Sequence, residues 1–121
     1  MARVVALVPD LLFGSRLLAL LESAGYEVAL CSTEDQARAA AVGADLLIAD
    51  LSIDPEVGVV LVQAMNANGE CDELATVAVY SHVDAQTRAR AQAAGFDLVV
   101  PRSRMVREGG DLVAGLLGGK G

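Results

Sequence analysis

Residues 45–50 read Asp-Leu-Leu-Ile-Ala-Asp, and Leu-Ser-Ile-Asp-Pro-Glu-Val-Gly carries the chain onward over residues 51–58. The run 46–49 is apolar without alternation, the pattern of a short strand covered on both faces, as in a parallel sheet. Working outward, Arg3–Val8 (RVVALV), Glu27–Cys31 (EVALC), Thr76–Tyr80 (TVAVY) and Leu98–Pro101 (LVVP) are short runs of similar character. They are read as four further strands.

Such a sheet needs helices to cover it, and the intervening segments carry helix signals. Leu12–Ala24 places Leu17, Leu18, Leu20 and Leu21 ahead of Gly25, a left-handed stop. Thr33–Ala41 opens with Thr33 three residues before Gln36, the spacing of a capping box. Val57–Asn66 is apolar nearly all round, Asp84 is placed to cap Ala85–Ala94 before Gly95, and Met105–Leu117 closes the domain. Five β-α units of roughly 24 residues follow, an α/β domain over residues 1–117 with a fraying tail over 118–121.

Composition narrows the function. A chain of 121 residues, 54% apolar, suits one domain with one core. Sixteen acidic against nine basic residues, a net charge of −7, leave no basic stripe for phosphate backbones, so direct nucleic-acid binding is not expected. Cys31 and Cys71 lack the spacing of a metal motif and are expected to be buried thiols in a reducing compartment. The apolar stretch after Arg3 meets Asp10 too soon for a signal sequence, and no run reaches the ~18 apolar residues of a membrane span. A cytoplasmic protein is expected.

In an open parallel sheet, function gathers where loops leave the carboxyl ends of the strands. Asp10, Asp50, Asp54, Glu56, Ser81, His82 and Arg102 fall there. Asp50 is the sharpest candidate, because a carboxylate ending a buried strand needs a cation, a metal or hydrogen-bond donors. The plainer alternative is an aspartate that caps the turn. The first loop, Pro9-Asp10-Leu11-Leu12-Phe13-Gly14, carries no dinucleotide or P-loop fingerprint, and GxSxG is absent. One histidine, His82 beside Ser81, makes a Ser-His hydrolase improbable and is best treated as a surface loop residue.

With AGYEV at 24–28, DLLIADLSIDPEVG at 45–58, VAVYSHVD at 77–84 and AAGFDLVVPRS at 93–103, the chain resembles a response-regulator receiver domain over nearly its whole length. The resemblance is most specific at Gly58, eight residues beyond Asp50. It implies a CheY-like, flavodoxin-like, doubly wound (βα)5 fold with strand order 2-1-3-4-5. It also implies Asp50 as the acceptor of a phosphoryl group from a histidine kinase.

The rest of the implied site departs from the family pattern. Where receivers place two acidic residues after the first strand, Val8 and Pro9 stand, with Asp10 one position late. Tyr80 stands at the Thr or Ser of the fourth strand, followed by Ser81, and Val99 at the aromatic of the fifth. Arg102 replaces the phosphate-binding lysine, and the chain's one lysine is Lys120. Mg²⁺ would have Asp50, Asp10 and the Ser52 carbonyl, with Asp54 or Glu56 as helpers, so weak binding is expected. Two readings follow: a phosphoacceptor using Asp10 and Arg102 as substitutes, or a pseudo-receiver locked by an Asp50–Arg102 pair and acting through protein contacts. The second is preferred, because three of four pocket positions have changed together.

The expectation is therefore a stand-alone, non-enzymatic signalling domain of bacterial two-component type, with a histidine kinase or another signalling protein as partner. A flavodoxin-like ligand-binding protein or enzyme using the same rim is the alternative. Arg102, Arg104 and Arg107 form the densest positive run, either an anion site or a solvated turn with Arg102 alone facing inward. The helices Leu12–Ala24 and Val57–Asn66 carry more apolar positions than one stripe needs, which points to burial against another chain in a homodimer.

Overall fold

The structure, a computed structural model, describes residues 1–81 and 85–120. Five strands, β1 (Arg3–Leu7), β2 (Glu27–Cys31), β3 (Leu46–Asp50), β4 (Ala75–Tyr80) and β5 (Leu98–Pro101), alternate with five helices. These are α1 (Leu11–Ser23), α2 (Glu34–Ala41), α3 (Pro55–Ala67), α4 (Ala85–Ala94) and α5 (Arg102–Lys120). All pairings are parallel, as the unbroken apolar runs predict, and the order β2-β1-β3-β4-β5 is the one that the resemblance implies.

The unbroken apolar strands are explained by two cores, one on each face. Val5, Leu7, Leu47, Ala49 and Ala78 join Val59, Val62 and Met65 of α3 and Ala91 of α4. Val4, Ala6, Leu46, Ile48, Val77 and Val79 join Leu17 and Leu21 of α1 and Met105 and Val113 of α5. Successive strand residues point to opposite faces, so each strand feeds both cores in alternation.

Local signals set the ends. Thr33 caps α2 with the full capping box, its hydroxyl accepting from Gln36 N–H while the Gln36 side chain accepts from Thr33 N–H. Helix α3 begins two residues earlier than expected, because Asp54 is its N-cap and Pro55 opens its first turn. Helix α5 starts directly after β5, with no loop over 102–104, and continues past Leu117 to Lys120. Asp84 and His82 lie outside the described residues.

The apolar excess of α3 packs inside this chain: Val59, Leu61, Val62 and Met65 are buried and Val57 half-buried, leaving Val60 exposed. The apolar excess of α3 is thereby largely taken up inside this chain, whereas Leu11 and Leu12 at the start of α1 stay exposed. No disulfide joins the cysteines; Cys31 is buried, and burial pushes its thiol pKa up, whereas Cys71 is only half-buried, contrary to expectation.

Gly58 lies where α3 crosses the end of β3. A Cβ there would fall on Leu51 Cδ2 and come within 3.3 Å of Ala49 Cβ. Leu51 is itself fully buried and has little room to yield. Gly58→Ala is expected to lose about 1–2 kcal/mol in urea denaturation, the cost of overpacking exceeding the gain in helix propensity. Unchanged stability would show that Leu51 repacks freely.

Candidate functional site

Asp50 is the last residue of β3 and follows Leu46 and Ile48 in the alternation that faces α1 and α5. Strand parity thus delivers its carboxylate to the corner where α1 begins and α5 begins. Its side chain has 0% exposure. A buried carboxylate without partners would cost several kcal/mol, so its surroundings must hold it.

They do so on both oxygens. Ser52 donates its N–H (3.1 Å) and its hydroxyl (2.6 Å) to Asp50 Oδ1. Asp50 Oδ2 is ion-paired to Nη2 of Arg102, from the first residue of α5. The other end of the guanidinium, Nη1, donates to Asp10 Oδ2 at 3.1 Å. The guanidinium carbon lies 4.3 Å from the centroid of the Phe13 ring, a cation–π contact from the first turn of α1. One arginine therefore bridges two carboxylates and rests on an aromatic face.

Asp10 has a structural assignment as well. It is the N-cap of α1, and its Oδ1 accepts from Leu12 N–H (3.0 Å) and Phe13 N–H (3.3 Å). The offset of one residue from the acidic pair that the resemblance implies thus turns a rim carboxylate into a helix cap that also grips Arg102. The Phe13 amide, with Arg102 adding to it against the cost of burial, holds the Asp10 carboxyl below its usual pKa of 3.8. A group with a depressed folded-state pKa stabilises fully above its unfolded-state value and less as pH falls through the folded one. Acid titration followed by circular dichroism should show Asp10→Asn narrowing the stability difference between neutral pH and pH below 3.8, relative to the parent.

Burial works against the charge of Arg102, and the Asp50 and Asp10 carboxylates outweigh it, so the net effect is a raised pKa. The guanidinium stays charged at every pH at which the protein is folded. Its Nε is buried without a hydrogen-bond acceptor among the described residues.

The other rim residues are placed elsewhere. Asp54 caps α3 through Glu56 N–H (3.1 Å), and Glu56 is ion-paired to Arg90 of α4. Tyr80 is buried at the end of β4 opposite Pro101, in alternation with Ala78 on the α3–α4 side, and Val99 is half-buried beside Ala78 in register. No hydrogen bond or ion pair among the described residues joins Tyr80 to Asp10, Asp50 or Arg102. Ser81 is exposed. Arg104 and Arg107 are exposed and pair with Glu108 at 3.4 and 3.1 Å, so only Arg102 of the arginine run faces inward. Among the described residues, no three His, Cys, Asp or Glu side chains group as a metal site would require.

The sheet order and the site at its carboxyl edge can be set beside solved structures. Chemotaxis protein CheY4 of Vibrio cholerae superposes with a TM-score of 0.82 at 18% identity, covering 96% of this chain and 98% of its own. A CheY-like receiver domain protein from Methanospirillum hungatei gives 0.83 at 17%, covering 99% and 96%. The receiver domain of the TMAO respiratory regulator TorR gives 0.83 at 21%, covering 97% of each chain. The fold is that of receiver domains. No protein-family model matches the chain, and no curated protein matches it in sequence. The receiver fold here carries its acidic strand-end residue, Asp50, with both carboxylate oxygens bonded.

Ser52 and Phe13 are the site residues whose parts the sequence did not reveal. The Ser52 hydroxyl, two residues after Asp50, has the spacing of a turn in which a carboxylate is bonded by the next residue but one. For Phe13 over Arg102 there is no local signal, since the two are joined only by the fold. No helix among the described residues is long and apolar enough to cross a membrane.

Proposed function

We propose that this chain is a signalling module of two-component type that works as a locked receiver, through contacts with another signalling protein and without phosphoryl transfer to Asp50. The observation that carries the proposal is the state of Asp50: no exposed side-chain surface, Oδ1 taken by Ser52 and Oδ2 by Arg102. A phosphoacceptor must present an oxygen in line with the donor phosphorus, with a cation to gather the developing charge. Here the built-in cation is bound to the would-be nucleophile.

Mg²⁺ does not fit this donor set. An octahedral cation bound by protein wants carboxylate oxygens free to face it, and Asp50 Oδ2 and Asp10 Oδ2 both face Arg102. Asp54 and Glu56, the alternative anchors, are held by the α3 N-terminus and by Arg90. The guanidinium supplies the positive charge that the two carboxylates need, so recruiting a metal would first require displacing Arg102.

Incubation with Mg²⁺ and acetyl phosphate, and separately with Mg²⁺ and beryllofluoride, tests the reading by intact mass and by amide NMR spectra. The expected result is no phosphoryl adduct and no Mg²⁺-dependent shift at Asp50, with Asp50→Asn behaving as the parent does. An adduct formed by the parent and absent from Asp50→Asn would make this chain a phosphoacceptor and overturn the locked reading.

A further inference from the structure

Beside the Asp10–Arg102 pair, the first turns of α1 and α5 enclose a groove of about 580 Å³, a volume typical of small-ligand sites. Its walls are apolar: Leu12, 86% exposed at the lip, the Phe13 ring, and half-buried Val106. Its polar groups are Arg16, Ser103, Arg102 and Asp10.

These polar groups are unequal in what they have left to offer. Asp10 accepts from two amides on Oδ1 and from Arg102 on Oδ2, so both its oxygens are engaged. Arg102 is already bound by two carboxylates. Arg16 has no ion-pair partner among the described residues, and Ser103 is exposed with a hydroxyl to donate. The groove thus presents donors, one arginine without an ion-pair partner among the described residues, and an apolar wall, in a chain whose net charge is −7. A cationic ligand would have to share Asp10 with Arg102, and a neutral apolar one would leave Arg16 unused.

We infer that this groove binds a small organic monoanion, a carboxylate on an apolar or aromatic body. Its anionic group pairs with Arg16 and takes the Ser103 hydroxyl, and its body lies against Leu12, Phe13 and Val106. Because Phe13 also supports Arg102, the ligand rests on the outer side of the contact that locks Asp50. The inference stands whether or not Asp50 accepts a phosphoryl group, since none of the ligand's contacts is to Asp50.

Amide NMR titration with 1-naphthoate tests it, with 1-naphthylmethylamine and inorganic phosphate as comparison ligands. Naphthoate should give saturable shifts centred on Leu12, Arg16, Ser103 and Val106, with the amine and phosphate each at least about tenfold weaker. Arg16→Gln, an exposed position whose loss leaves the spectrum folded, should weaken naphthoate about tenfold, the worth of one charge-assisted contact. Leu12→Ser should weaken it through the apolar wall. No saturable shift with naphthoate, equal binding of the amine or of phosphate, or undiminished binding by Arg16→Gln would each overturn the assignment.

Discussion

Arg102→Gln is expected to destabilise the protein by about 3 kcal/mol, read as a fall in the urea midpoint. The size follows from what remains behind. Asp50, with no exposed side-chain surface, would keep its Ser52 donors and lose its counter-charge, and truncating one partner of a buried pair costs far more than the pair contributes net. The Asp50→Asn/Arg102→Gln double variant should therefore recover part of the loss, because a neutral amide needs no cation. Asp50→Asn alone leaves Arg102 on Asp10, so its cost should be smaller than that of Arg102→Gln. A loss below 1 kcal/mol for Arg102→Gln, with no coupling in the cycle, would mean that Asp50 is satisfied without the guanidinium.

Phe13→Ala carries the other large expected effect, also about 3 kcal/mol. Phe13 is buried in the core between the sheet and the pair α1–α5, and it is the surface on which the Arg102 guanidinium rests. The two contributions separate by substitution. Phe13→Leu retains most of the packing and removes the aromatic face, for which about 1 kcal/mol is expected. In an Arg102→Gln background, that smaller difference between Phe13 and Leu should vanish while the cost of Phe13→Ala persists. If Phe13→Leu costs the same with and without Arg102, the ring is packing alone.

The architecture was legible because the strands are short apolar runs at regular spacing, and because Gly25 and Gly95, both with positive φ, mark the stops that follow α1 and α4. The missed boundaries have local causes. At α3 the Asp54-Pro55 pair is a helix start that the apolar run beginning at Val57 overshadowed. At α5, Arg102 lacks a preceding cap residue and the segment carries Gly109 and Gly110, poor helix formers that packing overrides. A Cβ at Gly109 would come within 2.9 Å of Leu20 Cδ1, so the helix keeps a glycine for close approach to α1.

Of the site, Asp10, Asp50 and Arg102 were legible as neighbours at the carboxyl edge, whereas the parts of Ser52 and Phe13 were not, and Tyr80, expected in the pocket, is not bonded to the other three among the described residues. Asp50 and Arg102 could be paired from the resemblance, since a strand-end carboxylate and a cation on the next-but-one strand end are neighbours in that fold. Asp10 could not be placed, because a shift of one residue at a strand end leaves its direction open until the helix start is known. Its capping of α1 settles the matter: the carboxylate is turned toward two amides and a guanidinium. The aromatic contact joins residues 13 and 102 and exists only once the sheet has brought the two helix starts together.

Arg102 lies 92 residues from Asp10 and 52 from Asp50 along the chain, so both bridges close very long loops. As the polypeptide is made from its amino end, β1 and β3 emerge well before the residue that neutralises the charge at their ends. Asp50 must stay hydrated until the fifth strand has paired and turned into the last helix, and a fragment stopping short of residue 102 would have to leave that corner of the sheet open to water. The single arginine therefore acts as a clasp on the finished topology, one that can close only after the last strand is in place.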